Sequence, residues 1–119
     1  MKIILGSAQI SDNYGVSNKK KGMNAYDIVK IFKHKKKIKY IDTANSYKNS
    51  LETLSKYHKR YQLNVNLKIN LGKNKDFQKK FFVRIQESLT KLNSGKVHSI
   101  MFHDTNNFLK LNKEMKKKI

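Results

Sequence analysis

The sequence has no cysteine, and only two of its 27 basic residues, Arg60 and Arg84, are arginine. Without cysteine there is neither a disulfide framework nor a thiolate metal site, which fits a reducing cytoplasm. Acids are scarce as well: 8 Asp and Glu leave a net charge of +19. An excess of that size suggests a nucleic-acid footprint. Yet nearly all of it is lysine, spread through the chain beside frequent Asn and Ile, whereas arginine suits planar phosphate and base contacts. The composition points to weak attraction to polyanions and away from specific nucleic-acid binding. Long apolar runs are missing too. No stretch could span a bilayer, and Met1 to Ile10 is too short and too polar for a signal peptide. The 119 residues read as one domain, soluble and cytoplasmic, with room for a single core.

What is present is alternation. Residues 3 to 10 read as a short buried strand ending in small residues, followed by an exposed polar loop, Ser11 to Gly22, with Gly15 and the Lys19-Lys20-Lys21 run. Asn24 caps a first helix, with Asp27 in an imperfect capping box and Ile28, Ile31 and Phe32 as its apolar face. His34 to Lys37 place cations at its end, where the helix dipole favours them. A second strand runs from Ile38 to Asp42. Asn49 or Ser50 opens a second helix with Leu51, Leu54, Tyr57 and Tyr61 at helical spacing. The third strand spans Val65 to Leu71, its apolar residues alternating with Asn64, Asn66, Lys68 and Asn70. A long helix follows Asp76, with Phe77, Phe81, Ile85, Leu89 and Leu92 on its buried face, and Asn93-Ser94-Gly95 stops it. The fourth strand is His98 to His103. Asn106 or Asn107 begins a last helix carrying Phe108, Leu111 and Met115.

Four βα units of roughly thirty residues argue for a parallel α/β sheet with helical crossovers. An eightfold TIM barrel, (β/α)8, needs about 250 residues. The expected fold is therefore its N-terminal half, four βα units. The two outer strands of such a half would be open edges, inviting self-association or pairing with a complementing C-terminal half.

In barrels of this kind chemistry sits at the carboxyl ends of the strands and in the loops that leave them. Asp42 ends the second strand and Tyr47 follows in its loop. Lys68 lies in the third strand, where a buried ammonium needs a partner and Asp42 is the nearest acid; a solvent-facing place among the neighbouring Asn residues is the other option. A loop tyrosine usually covers apolar surface, but beside Lys68 the phenol of Tyr47 could protonate a substrate oxygen. His103, ending the fourth strand, could bond a substrate carbonyl or relay a proton; a lone His there is more often structural.

Together Leu5-Gly6-Ser7-Ala8-Gln9, Tyr40-Ile41-Asp42-Thr43-Ala44-Asn45-Ser46-Tyr47, Leu67-Lys68-Ile69 and Met101-Phe102-His103-Asp104 resemble the aldo-keto reductases in order and spacing. The similarity runs over essentially the whole chain. Any one motif is weak; the four in sequence are specific. The first of them, with Asn13-Tyr14-Gly15, is similar to bacterial members often associated with surface-polysaccharide synthesis.

The resemblance implies a catalytic tetrad of Asp42, Tyr47, Lys68 and His103, in NADPH-dependent reduction of a small-molecule carbonyl substrate. Tyr47 would be the general acid, Lys68 held by Asp42 would support it, and His103 would orient the carbonyl. Ser7, Ala8 and Asp42 match cofactor-side positions. Two departures stand out. Lys48 follows Tyr47 where the family usually has Gly, and strands five to eight, which supply most of the family's cofactor contacts, have no counterpart in the 119 residues. The expected protein is thus a truncated or partial reductase. The alternatives are a noncatalytic half-barrel relic or interaction module and, further off, a basic nucleic-acid-binding domain.

Overall fold

A computed structural model describes residues 3–10, 23–34, 38–72 and 77–109. Along the chain these form β1 (Ile3–Gly6), α1 (Ala25–His34), β2 (Ile38–Ala44), α2 (Ser50–Ser55), β3 (Asn64–Ile69), α3 (Phe77–Leu92), β4 (Ser99–Phe102) and α4 (Thr105–Leu109). The strands make one sheet in the order β1-β2-β3-β4, every pair parallel. Each strand thus adds beside its predecessor on the same side. A doubly wound sheet reverses direction at a switch point; this one does not.

The two faces of the sheet differ sharply. Ile41 on β2 and Val65 on β3 join Ile28 and Phe32 of α1, Leu54 of α2 and Leu92 of α3 in one apolar cluster. Leu67 and Ile69 join Leu51 and Phe81 in a second. Residues one step away along the same strands, Tyr40, Asp42, Asn66 and Lys68, occupy the other face. That face is the inner wall of a barrel half. Its two edges are β1 and β4, and on β1 the side chain of Ile4 is 56% exposed.

Local signals explain most of the elements. The Oδ1 atom of Asn24 accepts a hydrogen bond from the Asp27 amide at 2.9 Å, so the anticipated cap of α1 forms, and Ile28 and Phe32 are buried. Asn24→Ala is expected to lower stability by about 1 kcal/mol, measurable as a lower urea midpoint at unchanged slope. Helix α3 buries Phe81 and Leu92 and ends at Asn93, whose positive φ of 52° breaks it. Asn93, not Gly95, adopts the left-handed conformation, one that Asn tolerates.

Several boundaries differ from the sequence expectation. Strand β1 stops at Gly6 rather than Ile10, because the chain turns through Ser7–Ile10, where the Ile10 amide bonds the Ser7 carbonyl at 2.9 Å. Ile10 is still buried, now from the turn. Strand β2 continues to Ala44 because β3 offers it a partner as far as Lys68. Helix α2 ends at Ser55; Tyr57 and Tyr61 lie in the following turns and pack against the first apolar cluster. Gln62, at φ 52°, closes that segment. Strand β3 covers Asn64–Ile69 and β4 only Ser99–Phe102, with the His98 and His103 amides adding flanking bonds to Val65 and Ile69 at 2.8 and 3.0 Å. Helix α4 begins at Thr105 instead of Asn106, since the Asp104 carboxylate accepts the Asn106 amide at 2.9 Å. Asn13–Gly15, the lysine runs, Asp76, Leu111, Met115 and the side chains of His34 and Phe77 lie outside the described residues.

Candidate active site

Register decides who meets whom on the inner wall. Asp42 is opposite Asn66, and Ala44 is opposite Lys68. Lys68 therefore sits diagonally across from Asp42, within reach for a long side chain. Its Nζ lies 3.1 Å from Asp42 Oδ2, with about a third of Lys68 and a quarter of Asp42 exposed. Both placements anticipated for Lys68 are partly met: it shares a face with Asn66, yet pairs with the acid of the adjacent strand. The pair stands between a surface ion pair and a fully buried one, whose desolvation cost would be severe.

The other carboxylate oxygen of Asp42 is also engaged. Asn66 Nδ2 donates to Oδ1 at 2.8 Å, and the Ser99 hydroxyl donates to Asn66 Oδ1 at 2.7 Å. Neither Asn66 nor Ser99 stands out in the sequence as a site residue. The signal available was period two along β3, which puts Asn66 on the same face as Lys68.

Tyr47 and His103 form a second pair at the carboxyl end of the wall. Their rings meet edge to face, 6.3 Å between centroids at 82°. The Tyr47 amide bonds the Ala44 carbonyl at 3.2 Å, which ties the loop to the residue beside Lys68. Asn45 holds that loop. Its amide donates to the Lys68 carbonyl at 3.1 Å, its Nδ2 donates to the Asn70 carbonyl at 3.1 Å, and its Oδ1 accepts the Asn70 amide at 2.7 Å. A loop anchored by three bonds to β3 and the residue after it carries its aromatic at a defined place. Asn45 belongs to the Tyr40–Tyr47 motif, but its bracing role depends on β3 and cannot be read locally.

Ser7 and Ala8 part company. The Ser7 amide continues the ladder to the Asp42 carbonyl at 2.9 Å. Its side chain is fully buried, and its hydroxyl takes the Ser50 hydroxyl at 2.9 Å, with Thr43 3.1 Å from Ser50 on the other side. This hydroxyl cluster joins the turn after β1 to β2 and α2 and leaves Ser7 no accessible surface. Ala8, in the turn, is partly exposed. Lys48, beside Tyr47, is exposed and puts a further cation at this end.

A sizeable cavity among the described residues lies elsewhere. About 580 Å³ in volume, it is lined by His58, Lys59, Leu63, Val65, Lys96 and His98 among others, at the amino ends of β3 and β4. It touches none of the four candidate residues. Among the described residues no group of three or more His, Cys, Asp or Glu could hold a metal ion. No helix there is long and apolar enough to cross a membrane.

Four parallel strands added in sequence order, helices covering one face, and polar residues gathered at one end of the other define half of a (β/α)8 barrel. Two solved structures from Pseudomonas aeruginosa, each provisionally assigned as an aldo-keto reductase, share that fold. One matches with a TM-score of 0.72 over 97% of this chain and 49% of its own length, at 16% identity. The other has a TM-score of 0.67, covering 97% of this chain and 47% of its own, also at 16% identity. The chain thus spans about half the length of the structures it resembles. No protein-family model and no curated protein matches the sequence.

Proposed function

We propose that the chain carries the acid–base half of an aldo-keto reductase site and serves NADPH-dependent reduction of a carbonyl compound. The observation that carries this reading is the Lys68–Asp42 ion pair, 3.1 Å long, on the inner wall below the Tyr47–His103 ring pair. Few structural needs account for an ammonium held by a carboxylate at the carboxyl end of a barrel strand. Chemistry does account for it, since charge developing on a substrate oxygen is stabilised by fixed donors nearby.

The donor set suits a carbonyl oxygen. The Tyr47 hydroxyl gives its proton to that oxygen as the carbon is reduced, and the phenolate left behind regains a proton from solvent. Lys68 supplies positive charge while the phenolate exists, and Asp42 keeps the ammonium in place. His103, ring to ring with Tyr47, donates a hydrogen bond that orients the carbonyl. NADPH, when bound, supplies the hydride. Of the three proposed cofactor-side positions, Ala8 has the surface to touch a cofactor, Ser7 supports the Asp42 backbone through its amide, and Asp42 is engaged by Lys68. The residues of this chain fit the reacting end of the cofactor; grips on its phosphates belong to the other half of a barrel. That half would come from a second copy or from a complementing partner at the open edges.

Titrating NADPH into the 119-residue chain, with its fluorescence followed at low and at high salt, tests the reading. Saturable binding that persists in high salt is expected. A net charge of +19 attracts any polyphosphate, so signal that disappears with salt, or no signal at all, overturns assembly of a working cofactor site by this chain and its own copies.

A further inference from the structure

We infer that Asn66, oriented by Ser99, is the positioning residue that fixes the Asp42 carboxylate for Lys68. Its catalytic meaning rests on the reading above, but its geometry does not. Asp42, Asn66 and Ser99 are successive register partners across β2, β3 and β4. They form one straight rung of the inner wall, directly beneath Lys68.

The polarity of that rung has one solution. An ionised carboxylate only accepts, so the amide must turn its NH2 toward Asp42 and its oxygen away. That oxygen then needs a donor, and the Ser99 hydroxyl supplies one at 2.7 Å. With Oδ1 of Asp42 held by Asn66 at 2.8 Å, Oδ2 is left facing Lys68 at 3.1 Å. Two donors two residues apart on one strand thereby stop the carboxylate from rotating.

Packing alone does not hold the amide. Asn66 and Ser99 line a hollow of about 320 Å³ together with Ile4, Tyr40 and His98, so an amide released by Ser99 has room to swing. Asn66 is buried, at 7% exposed, whereas a third of the Lys68 side chain is open to solvent. If the carboxylate loosens, the ammonium moves to solvent, as long cationic side chains do when a polar phase is within reach.

The test reads the pair without any reaction. In 1H–15N spectra of the full chain at mildly acidic pH and low temperature, a lysine ammonium held in a bridge exchanges slowly enough to be seen. Hydrogen exchange at Lys68 Nζ is expected to quicken about tenfold or more in Asn66→Leu and in Ser99→Ala. Tenfold corresponds to about 1.4 kcal/mol, the scale of one hydrogen bond. Ser99→Thr keeps the hydroxyl and is expected to keep the slow signal. In the double variant Asn66→Leu/Ser99→Ala the second change adds nothing, because Ser99 acts only through Asn66. Unchanged exchange in Ser99→Ala, with backbone spectra that overlay the parent, overturns the inference. Ser99 is small and partly exposed, so that variant keeps the test decisive should Asn66→Leu fail to fold. No cofactor is present, so failure here and failure of the reductase reading are separate results: NADPH binding with unchanged Lys68 exchange sinks the rung alone, and the reverse pattern sinks the reaction alone.

Discussion

Tyr47→Phe is expected to lower NADPH-dependent carbonyl reduction by about 10²–10⁴-fold, the usual range for loss of a general acid. The substitution removes the phenol oxygen and keeps the ring and the loop anchors. The edge-to-face contact with His103 is made by the ring, and the loop is held through the Tyr47 amide and through Asn45. None of those interactions uses the phenol oxygen. The ion pair of Lys68 with Asp42 also survives, so cofactor affinity should change little while turnover falls. Steady-state rates beside an NADPH titration of the same variant make the comparison. Turnover close to that of the parent would assign the proton to another donor, His103 being the nearest candidate, and would leave Tyr47 as a covering aromatic.

Phe81→Ala is expected to cost about 3–5 kcal/mol of stability, against a total of about 5–15 kcal/mol for an ordinary domain. Phe81 is 1% exposed and stacks on Phe102 of β4 with centroids 4.8 Å apart and planes at 10°. Phe82 meets it edge to face at 5.5 Å, and Leu51, Leu67, Ile69 and Leu71 complete its surroundings. Among the described residues strand β4 has a strand neighbour on one side only, so the α3 contact supplies much of what holds it down. Loss of the ring is therefore expected to loosen β4, and with it His103, before the rest of the sheet. Urea unfolding measures the total, and hydrogen exchange at the β4 amides shows its location. Val83→Ala on the same helix, at a position 54% exposed, serves as the control and should stay within about 0.5 kcal/mol. Equal losses from the two would mean that α3 does not pack as described.

The alternation of Val65, Leu67 and Ile69 with Asn64, Asn66 and Lys68 announces a strand with two unlike faces, because side chains on a strand alternate whatever surrounds it. Asn24 and Asp27 mark a helix start because a cap bond spans only a few residues. The apolar stripe from Phe81 to Leu92 marks a helix because its period is internal to the segment. Boundaries proved less legible. Strand β2 gains Thr43 and Ala44 because β3 is there to bond them, and β1 ends early because its chain must turn at the rim.

The site divides in the same way. Asp42, Tyr47, Lys68 and His103 could be named from strand ends and residue types, and all four lie on the inner wall or at its carboxyl end. Their pairing could not. That Lys68 meets Asp42, that Tyr47 meets His103, and that Asn66 and Ser99 stand behind Asp42 all follow from register between strands far apart in the chain. Ser7 shows the opposite outcome: a small polar residue at a strand end, suited to a cofactor, whose hydroxyl is taken up inside by Ser50.

By itself the sequence determined four βα units, their amphipathic faces and the residue types at their ends, since these depend on short-range periodicity, caps and turns. The half barrel expected from those units is borne out by the strand order β1-β2-β3-β4, while the register between strands, and with it the pairing of the site residues, was decided by tertiary structure. The reason is physical. Strand order and register are set by how the apolar face of each new strand packs beside the last and under its helix, and those contacts join residues that no local pattern connects.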